Sequence, residues 1–293
     1  MAKLNTILEN NFLRVEIDKL GAEVKSIKNK LNIEYLWQGN PEFWKRQSPI
    51  LFPIVGKLKN DCYNYNGKTY HMTQHGFARD NNFDVVEKTE TEAKFVFTSN
   101  EETRKIYPFD FTLSVTYKLI RNNIDVSINV INTGKNNMYF SIGAHPGFNI
   151  PLLPRKEKFE DYYVVAAPRR KFNLMQINSD GLSGMSKDDP LDSPVQLSHD
   201  LFKNDAKIFD IGENKKSMVM LQSDKSDHGV SLVADDCQYI GFWSIKDADF
   251  VCLEPWWGIA DTKDSNGILQ EKKGIIELKN SLQFNSNFSI GIF

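Results

Sequence analysis

Apolar and polar positions alternate with period two along most of the 293-residue chain. Leu13, Val15 and Ile17 interleave with Arg14, Glu16 and Asp18. The same spacing recurs from Phe83 to Val86, Lys94 to Phe97, Thr112 to Leu119 and Ile124 to Ile131. Successive side chains of a strand point to opposite faces, so this pattern predicts half-buried strands. The C-terminal third continues it over Ser217 to Leu221, Val230 to Val233, Tyr239 to Ser244, Phe250 to Leu253, Ile275 to Leu278 and Phe288 to Phe293. Turn residues separate the runs. Asn66-Gly67 predicts a tight hairpin between Cys62–Tyr65 and Lys68–Tyr70. Arg121-Asn122-Asn123 and Thr133 to Asn137 predict two further turns.

No long stretch carries a 3.6-residue apolar period; short helical turns are expected only near Pro41–Trp44 and Leu201–Phe202. Two segments, 147–161 and 173–200, read as irregular, the second as a surface excursion holding Gly181, Gly184, Pro190 and Pro194. Strand patterns of similar composition resume beyond it, so residues 1–293 are expected to form one domain. Strands throughout, joined by hairpins, predict an all-β fold built as a large antiparallel β-sandwich.

Composition narrows the function. Hydrophobic residues make up 41% and charged residues 25%, as in ordinary globular proteins. Aromatic residues reach 12%, which suits strands and sugar-binding walls. With 36 basic and 38 acidic residues the net charge is −2, and the longest basic runs are Arg169-Arg170-Lys171 and Lys272-Lys273. That excludes the clustered basic footprint of a nucleic-acid binder. Three cysteines without C-x-x-C spacing argue against a disulfide framework or a structural zinc site. No apolar leader or membrane-length run is present, so a cytoplasmic protein is expected.

Three short segments place a titratable residue among Gly, Pro or Trp: Gln74 to Asp80, Ser141 to Phe148, and Leu253 to Gly258. His75 precedes Gly76, and His145 precedes Pro146, which biases His145 to extended backbone. Glu254 ends the apolar run Phe250 to Leu253, and Pro255 is expected to stop the strand. A carboxylate beside Trp256 and Trp257 is partly desolvated, which raises its pKa and makes it a better base. Each residue alone fits a structural role as well. Together they fit acid–base work on a neutral polyol: one proton leaves the C1 hydroxyl, one reaches the ring oxygen, and no metal or cofactor is needed.

Other chemistries fit less well. His71 and His75 are four apart, but the first lies in a strand pattern and lacks a following Glu, so a helical zinc pair is not supported. His199 and His228 lie in polar turns and read as solvated. No nucleophile elbow or P-loop occurs. Asp110, Asp125, Asp235 and Asp236 could supply a glycosidase carboxylate pair, yet none sits in a motif as pointed as that of Glu254.

The ordered set Trp44-Lys45-Arg46, Pro49 to Gly56, His75 to Asp80, Gly143 to Phe148 and Leu253 to Trp256 resembles the aldose 1-epimerase (galactose mutarotase-like) superfamily, in its LacX-type branch. The resemblance spans most of the chain. It implies the galactose mutarotase-like supersandwich, with Glu254 as base at the C1 hydroxyl and His145 as acid to the ring oxygen. His75 would hydrogen-bond that oxygen. Arg46 resembles an arginine that reaches sugar hydroxyls, and Asp205 resembles a sugar-binding aspartate, with Asp210 as rival. Trp257 or Trp256 could stack on the sugar ring. A hexose-6-phosphate branch also carries a His-Gly-Phe-Ala-Arg run, so Arg79 could contact phosphate or could simply pair with Asp80. The implied partner is a small sugar, free or phosphorylated. A non-catalytic sugar-binding protein on the same fold is the alternative from another class.

Overall fold

Alternation decides which side of each strand is buried, and turn geometry decides its neighbour. The computed structural model describes residues 5–167, 172–178, 180–184, 193–212 and 216–293. In the hairpin Cys62–Tyr65/Lys68–His71, Asn66 and Gly67 both adopt positive φ (50° and 74°), the geometry a two-residue turn needs to match strand twist. Phe111–Ile120 and Asn123–Asn132 pair over ten residues, from Asn123 opposite Ile120 to Asn132 opposite Phe111.

These strands belong to a nine-stranded antiparallel sheet. Its order is Val195–Gln196, Tyr162–Ala167, Lys216–Ser223, Gly229–Asp235, Gln283–Ile292, Asn123–Asn132, Phe111–Ile120, Glu92–Thr98 and Asp84–Lys88. A second, eight-stranded sheet runs Ser183–Gly184, Asn173–Ile177, Lys207–Asp210, Tyr239–Trp243, Phe250–Trp257, Ile142–Ala144 and Ile50–Leu51, with Gly147–Asn149 also paired to Phe250–Trp257. One hydrophobic cluster joins them: Leu113, Val115 and Ile128 from the first sheet meet Ile240, Val251 and Leu253 from the second. The fold is therefore all-β, with two large antiparallel sheets sharing a core, as the period-two pattern predicts. Among the described residues no helix is long and apolar enough to cross a membrane.

Three local readings are corrected. First, Phe250–Trp257 continues through Pro255, which pairs opposite Ile240. On its other side the partner strand is interrupted between Ile142–Ala144 and Gly147–Asn149, so residues 253–255 face a break where a full ladder is not needed. Second, part of the expected excursion is strand: Asn173–Ile177 pairs with Lys207–Asp210, and Ser183–Gly184 and Val195–Gln196 extend the sheet edges. Residues 185–192 of that segment and the basic run 169–171 lie outside the described residues. Third, Glu101–Ile106 is an α-helix that lacks an apolar stripe. Its start is fixed locally by a capping box, with the Asn100 side chain accepting from Thr103 N at 2.9 Å and Thr103 Oγ1 accepting from Asn100 N at 2.8 Å. The two expected short turns are present: Trp44 N donates to the Asn40 carbonyl at 2.9 Å, closing one helical turn over Pro41–Phe43, and Leu201 and Phe202 lie in a short 3-10 helix.

Candidate active site

The interruption opposite Phe250–Trp257 is where two of the sequence segments, Ser141 to Phe148 and Leu253 to Gly258, meet. His145 follows the strand Ile142–Ala144, and its backbone N–H bonds the Pro49 carbonyl at 3.1 Å. Glu254 and Trp256 lie two residues apart on one strand and so share a face. His145 Nε2 comes to 3.1 Å from Glu254 Oε2. This is a close contact without hydrogen-bond alignment, and neither oxygen of Glu254 has a hydrogen-bond partner.

His75 reaches the same place from a turn. It has φ 66° and Gly76 has φ 69°, a pair of left-handed residues that carries His75 toward the sheet. A side chain at Gly76 would collide with the Phe52 carbonyl. His75 is fastened at both ends to Gly56: its N–H donates to the Gly56 carbonyl at 2.9 Å, and its Nδ1 accepts from Gly56 N at 3.1 Å. An accepting Nδ1 puts the proton of the neutral ring on Nε2. Gly56 itself has φ 73°, and a Cβ there would lie 2.5 Å from the Cβ of Ala260. The rings of His75 and His145 stand perpendicular, 5.5 Å apart. His145 is held between Trp44, at 4.9 Å, and Trp243, at 5.5 Å and nearly perpendicular.

These side chains line one cavity of about 660 Å³ with Arg79, Asp205, Gln74, Lys203 and His199. Six buried polar atoms of its lining lack a hydrogen-bond partner: Arg79 Nε, His145 Nδ1, His199 Nδ1, Trp256 Nε1 and both oxygens of Glu254. Polar atoms gathered in this way along one cavity are open to hydrogen bonds from water or from a polar ligand.

Burial sets the protonation of the centre. It raises the Glu254 carboxyl well above the usual carboxylate range; the nearby Asp205 carboxylate adds to this, and the Trp256 indole opposes it. His145 is depressed to about 3, by burial first and then by the charge of Arg79. His75 is lowered well below the ordinary imidazole range by burial, then by His145, Arg79 and Arg46. Each neutral form avoids the penalty of an unsolvated charge. Burial thus favours the neutral form of both partners, carboxyl on Glu254 and imidazole on His145.

The remaining expected contacts are placed as follows. Arg46 Nη2 donates to Asp80 Oδ1 at 2.8 Å. Arg79 has only a marginal contact with Asp80, 4.0 Å; it donates to the Gln74 carbonyl at 2.5 Å and faces the cavity. Burial lowers its pKa to about 10. Asp205, with φ 78°, lines the cavity, whereas Asp210 accepts from Gly212 N at 2.9 Å and does not. Trp257 does not line it either: strand alternation turns this indole into the main core, and Trp256 forms the cavity wall. His199, read as solvated, is half-buried, stacks on Phe159 at 4.1 Å and reaches the cavity. His228 contacts Tyr35 Oη through Nδ1 at 3.2 Å. His71 is exposed at the end of its strand. Trp243 and Lys203 carry no local signal in the sequence; only the pairing of Tyr239–Trp243 with Phe250–Trp257 brings Trp243 to His145.

The chain is similar to known proteins along most of its length. A family model described as aldose 1-epimerase matches residues 3–263. The chromosomal LacX protein of Lactococcus lactis is 34% identical over 283 residues, covering 92% of this chain and 93% of LacX. A galactose mutarotase related enzyme from Lactobacillus acidophilus superposes with a TM-score of 0.95 at 40% identity, covering 99% of this chain and 97% of its own. A galactose mutarotase-like protein from Lactobacillus casei gives 0.90 at 32% identity, covering 99% and 100%. The chain belongs to the aldose 1-epimerase family, in its LacX branch.

Proposed function

We propose that this protein is a mutarotase that interconverts the α and β anomers of a hexose. The observation that carries the reading is the convergence, within one cavity, of a carboxylate and an imidazole 3.1 Å apart with a second imidazole beside them. Glu254 in its carboxylate form takes the proton of the C1 hydroxyl as the bond from C1 to the ring oxygen breaks. His145, in its imidazolium form, gives a proton to that ring oxygen. The neutral His75, with Nε2–H, donates a hydrogen bond to the same oxygen. The open-chain aldehyde rotates about C1–C2. The ring hydroxyl then attacks the other face, returning its proton to His145, while Glu254 returns one to the new C1 hydroxyl.

Carboxylate plus imidazolium has the same proton count as carboxyl plus imidazole. Binding therefore needs to redistribute one proton, not import one. Sugar hydroxyls supply the hydrogen bonds that Glu254 lacks, which favours its charged form. In this reading Arg79 and Asp205 bind sugar hydroxyls, Arg46 orients the rim through Asp80, and Trp256 replaces Trp257 as the stacking surface. Residues 1–293 act as one domain, supported by a main core cluster that draws on residues from Leu8 to Ile292. The protein works in the cytoplasm, which fits its three free cysteines.

A second reading is favoured by one observation: Arg79 Nε is buried without a hydrogen-bond partner, its nearest carboxylate oxygen, Asp80 Oδ2, being 4.0 Å away. A phosphorylated hexose could fill that position. Polarimetry on freshly dissolved α-glucose, α-galactose and their 6-phosphates separates the readings. A free-hexose mutarotase accelerates the first pair. Preference for the phosphates, lost in Arg79→Ala, selects the second. No acceleration with any sugar leaves only a binding protein.

A further inference from the structure

Cys252 lies two residues before Glu254 on the same strand, and so on the same face. It is fully buried and takes no part in the proton transfers above. Its Sγ, a ring nitrogen of His145 and a carboxylate oxygen of Glu254 all lie within 4.8 Å of one another. We propose that His145, Cys252 and Glu254 form a site for a thiophilic divalent cation of the zinc class, whose occupation blocks the sugar cavity.

The donor set is the first argument. Imidazole, thiolate and carboxylate are the three side chains that ligate zinc, and three protein ligands with a fourth, open position is a common arrangement. Geometry is the second. Tetrahedral bonds of about 2.0 Å place two ligand atoms about 3.3 Å apart, and His145 Nε2 to Glu254 Oε2 already measures 3.1 Å. The Cys252 Sγ lies within 4.8 Å of both other donors, and the longer bond of about 2.3 Å that zinc makes to sulfur reduces the shift needed. The third argument is availability. Both oxygens of Glu254 lack hydrogen-bond partners, so a cation displaces nothing there. His145 and Glu254 line the cavity, which supplies the entry path, and the fourth position faces the space a sugar would fill.

The same surroundings make the site reversible. Structural and catalytic zinc ligands are normally braced by an outer partner on the second imidazole nitrogen, and losing that brace weakens binding about 10–100-fold. His145 Nδ1 has no such partner. The cation is therefore an exchangeable inhibitor and not a resident cofactor. The inhibitory half of the proposal rests on the mutarotase reading; the binding half does not.

The test separates the two. The full chain, stripped with a chelator, is titrated with cobalt(II) as a spectroscopic stand-in for zinc. A thiolate-to-cobalt charge-transfer band is expected, absent in Cys252→Ser and lost when excess hexose is added. Cys62→Ser, at a half-buried cysteine far along the chain, is expected to keep the band. In mutarotation assays zinc is expected to compete with sugar, and Cys252→Ser to raise the inhibitory concentration at least about tenfold. Should Cys252→Ser fold poorly, Glu254→Gln must also abolish the band. No band in the wild type, or a band that survives both substitutions, overturns the site. A band in a protein with no mutarotase activity on any sugar would retain the site and remove the mutarotase reading.

Discussion

The strands Asn123–Asn132 and Phe250–Trp257 stand in different sheets and solve different problems. In the first, buried Ile124, Val126, Ile128 and Val130 alternate with positions that reach solvent, such as Ser127. Polar side chains there find partners at the surface, as Asn129 does with Asn285 at 2.8 Å. In the second, all eight residues are buried, including a glutamate without a hydrogen bond. A strand with one wet face can only be read one way round. A strand buried on both faces gives no such cue, and a carboxylate on it survives only where something other than water meets it. The nine-stranded sheet supplies stability, and the eight-stranded sheet gives up some of it to hold a buried carboxyl beside an imidazole.

The largest effect that would break this contrast is at Glu254. Glu254→Gln is expected to slow mutarotation about 10²–10⁴-fold while leaving the circular dichroism unchanged. Its stability should differ from wild type in a pH-dependent way. The wild-type carboxyl is raised in the folded state, so its contribution is fully present below the unfolded pKa and is lost as pH rises through the folded value. The melting temperature of Glu254→Gln relative to wild type is therefore expected to climb from acid to alkaline pH; a difference independent of pH would contradict the raised carboxyl.

Leu113→Ala is the opposite experiment. Leu113 is fully buried in the nine-stranded sheet, so the substitution is expected to remove about 2–5 kcal/mol of stability in chemical denaturation. Activity per folded molecule should not change. Gly56→Ala sharpens the comparison from the site side. A Cβ meets Ala260 at 2.5 Å, and the N–H that fixes the His75 tautomer moves. A loss of about 10- to 100-fold in rate is expected, with altered His75 ring-nitrogen NMR shifts. Normal shifts with a low rate would show that the tautomer is not what Gly56 controls. The smallest effect belongs to the solvent face. Lys118→Ala breaks an exposed pair with Glu92 at 3.0 Å and is expected to change stability by less than about 1 kcal/mol and rate not at all.

The same contrast explains what could be read from the chain alone. Strands with one exposed face, such as Phe111–Ile120 and Lys216–Ser223, are visible as alternation. So is the Asn66-Gly67 hairpin, because only residues that tolerate positive φ fit it. The path of Phe250–Trp257 past Pro255 is not visible, since it depends on a break in a neighbour more than a hundred residues earlier. Nor is the choice between Trp256 and Trp257, which needs the register of a strand buried on both sides. His75, His145 and Glu254 stand out as titratable groups beside Gly, Pro or Trp. The cavity residues Trp243 and Lys203 do not, because long-range pairing and packing bring them there and no local pattern marks them.

Saturation-transfer NMR on a hexose at anomeric equilibrium reads the central reaction directly, since magnetisation moves between the two C1 protons only as fast as the anomers exchange. Wild-type protein is expected to transfer saturation well above the buffer rate, and Glu254→Gln and His145→Asn, folded as wild type, to fall back to it. Undiminished transfer in both variants, or none above buffer in the wild type with any free or phosphorylated hexose, would contradict an acid–base centre built from these side chains.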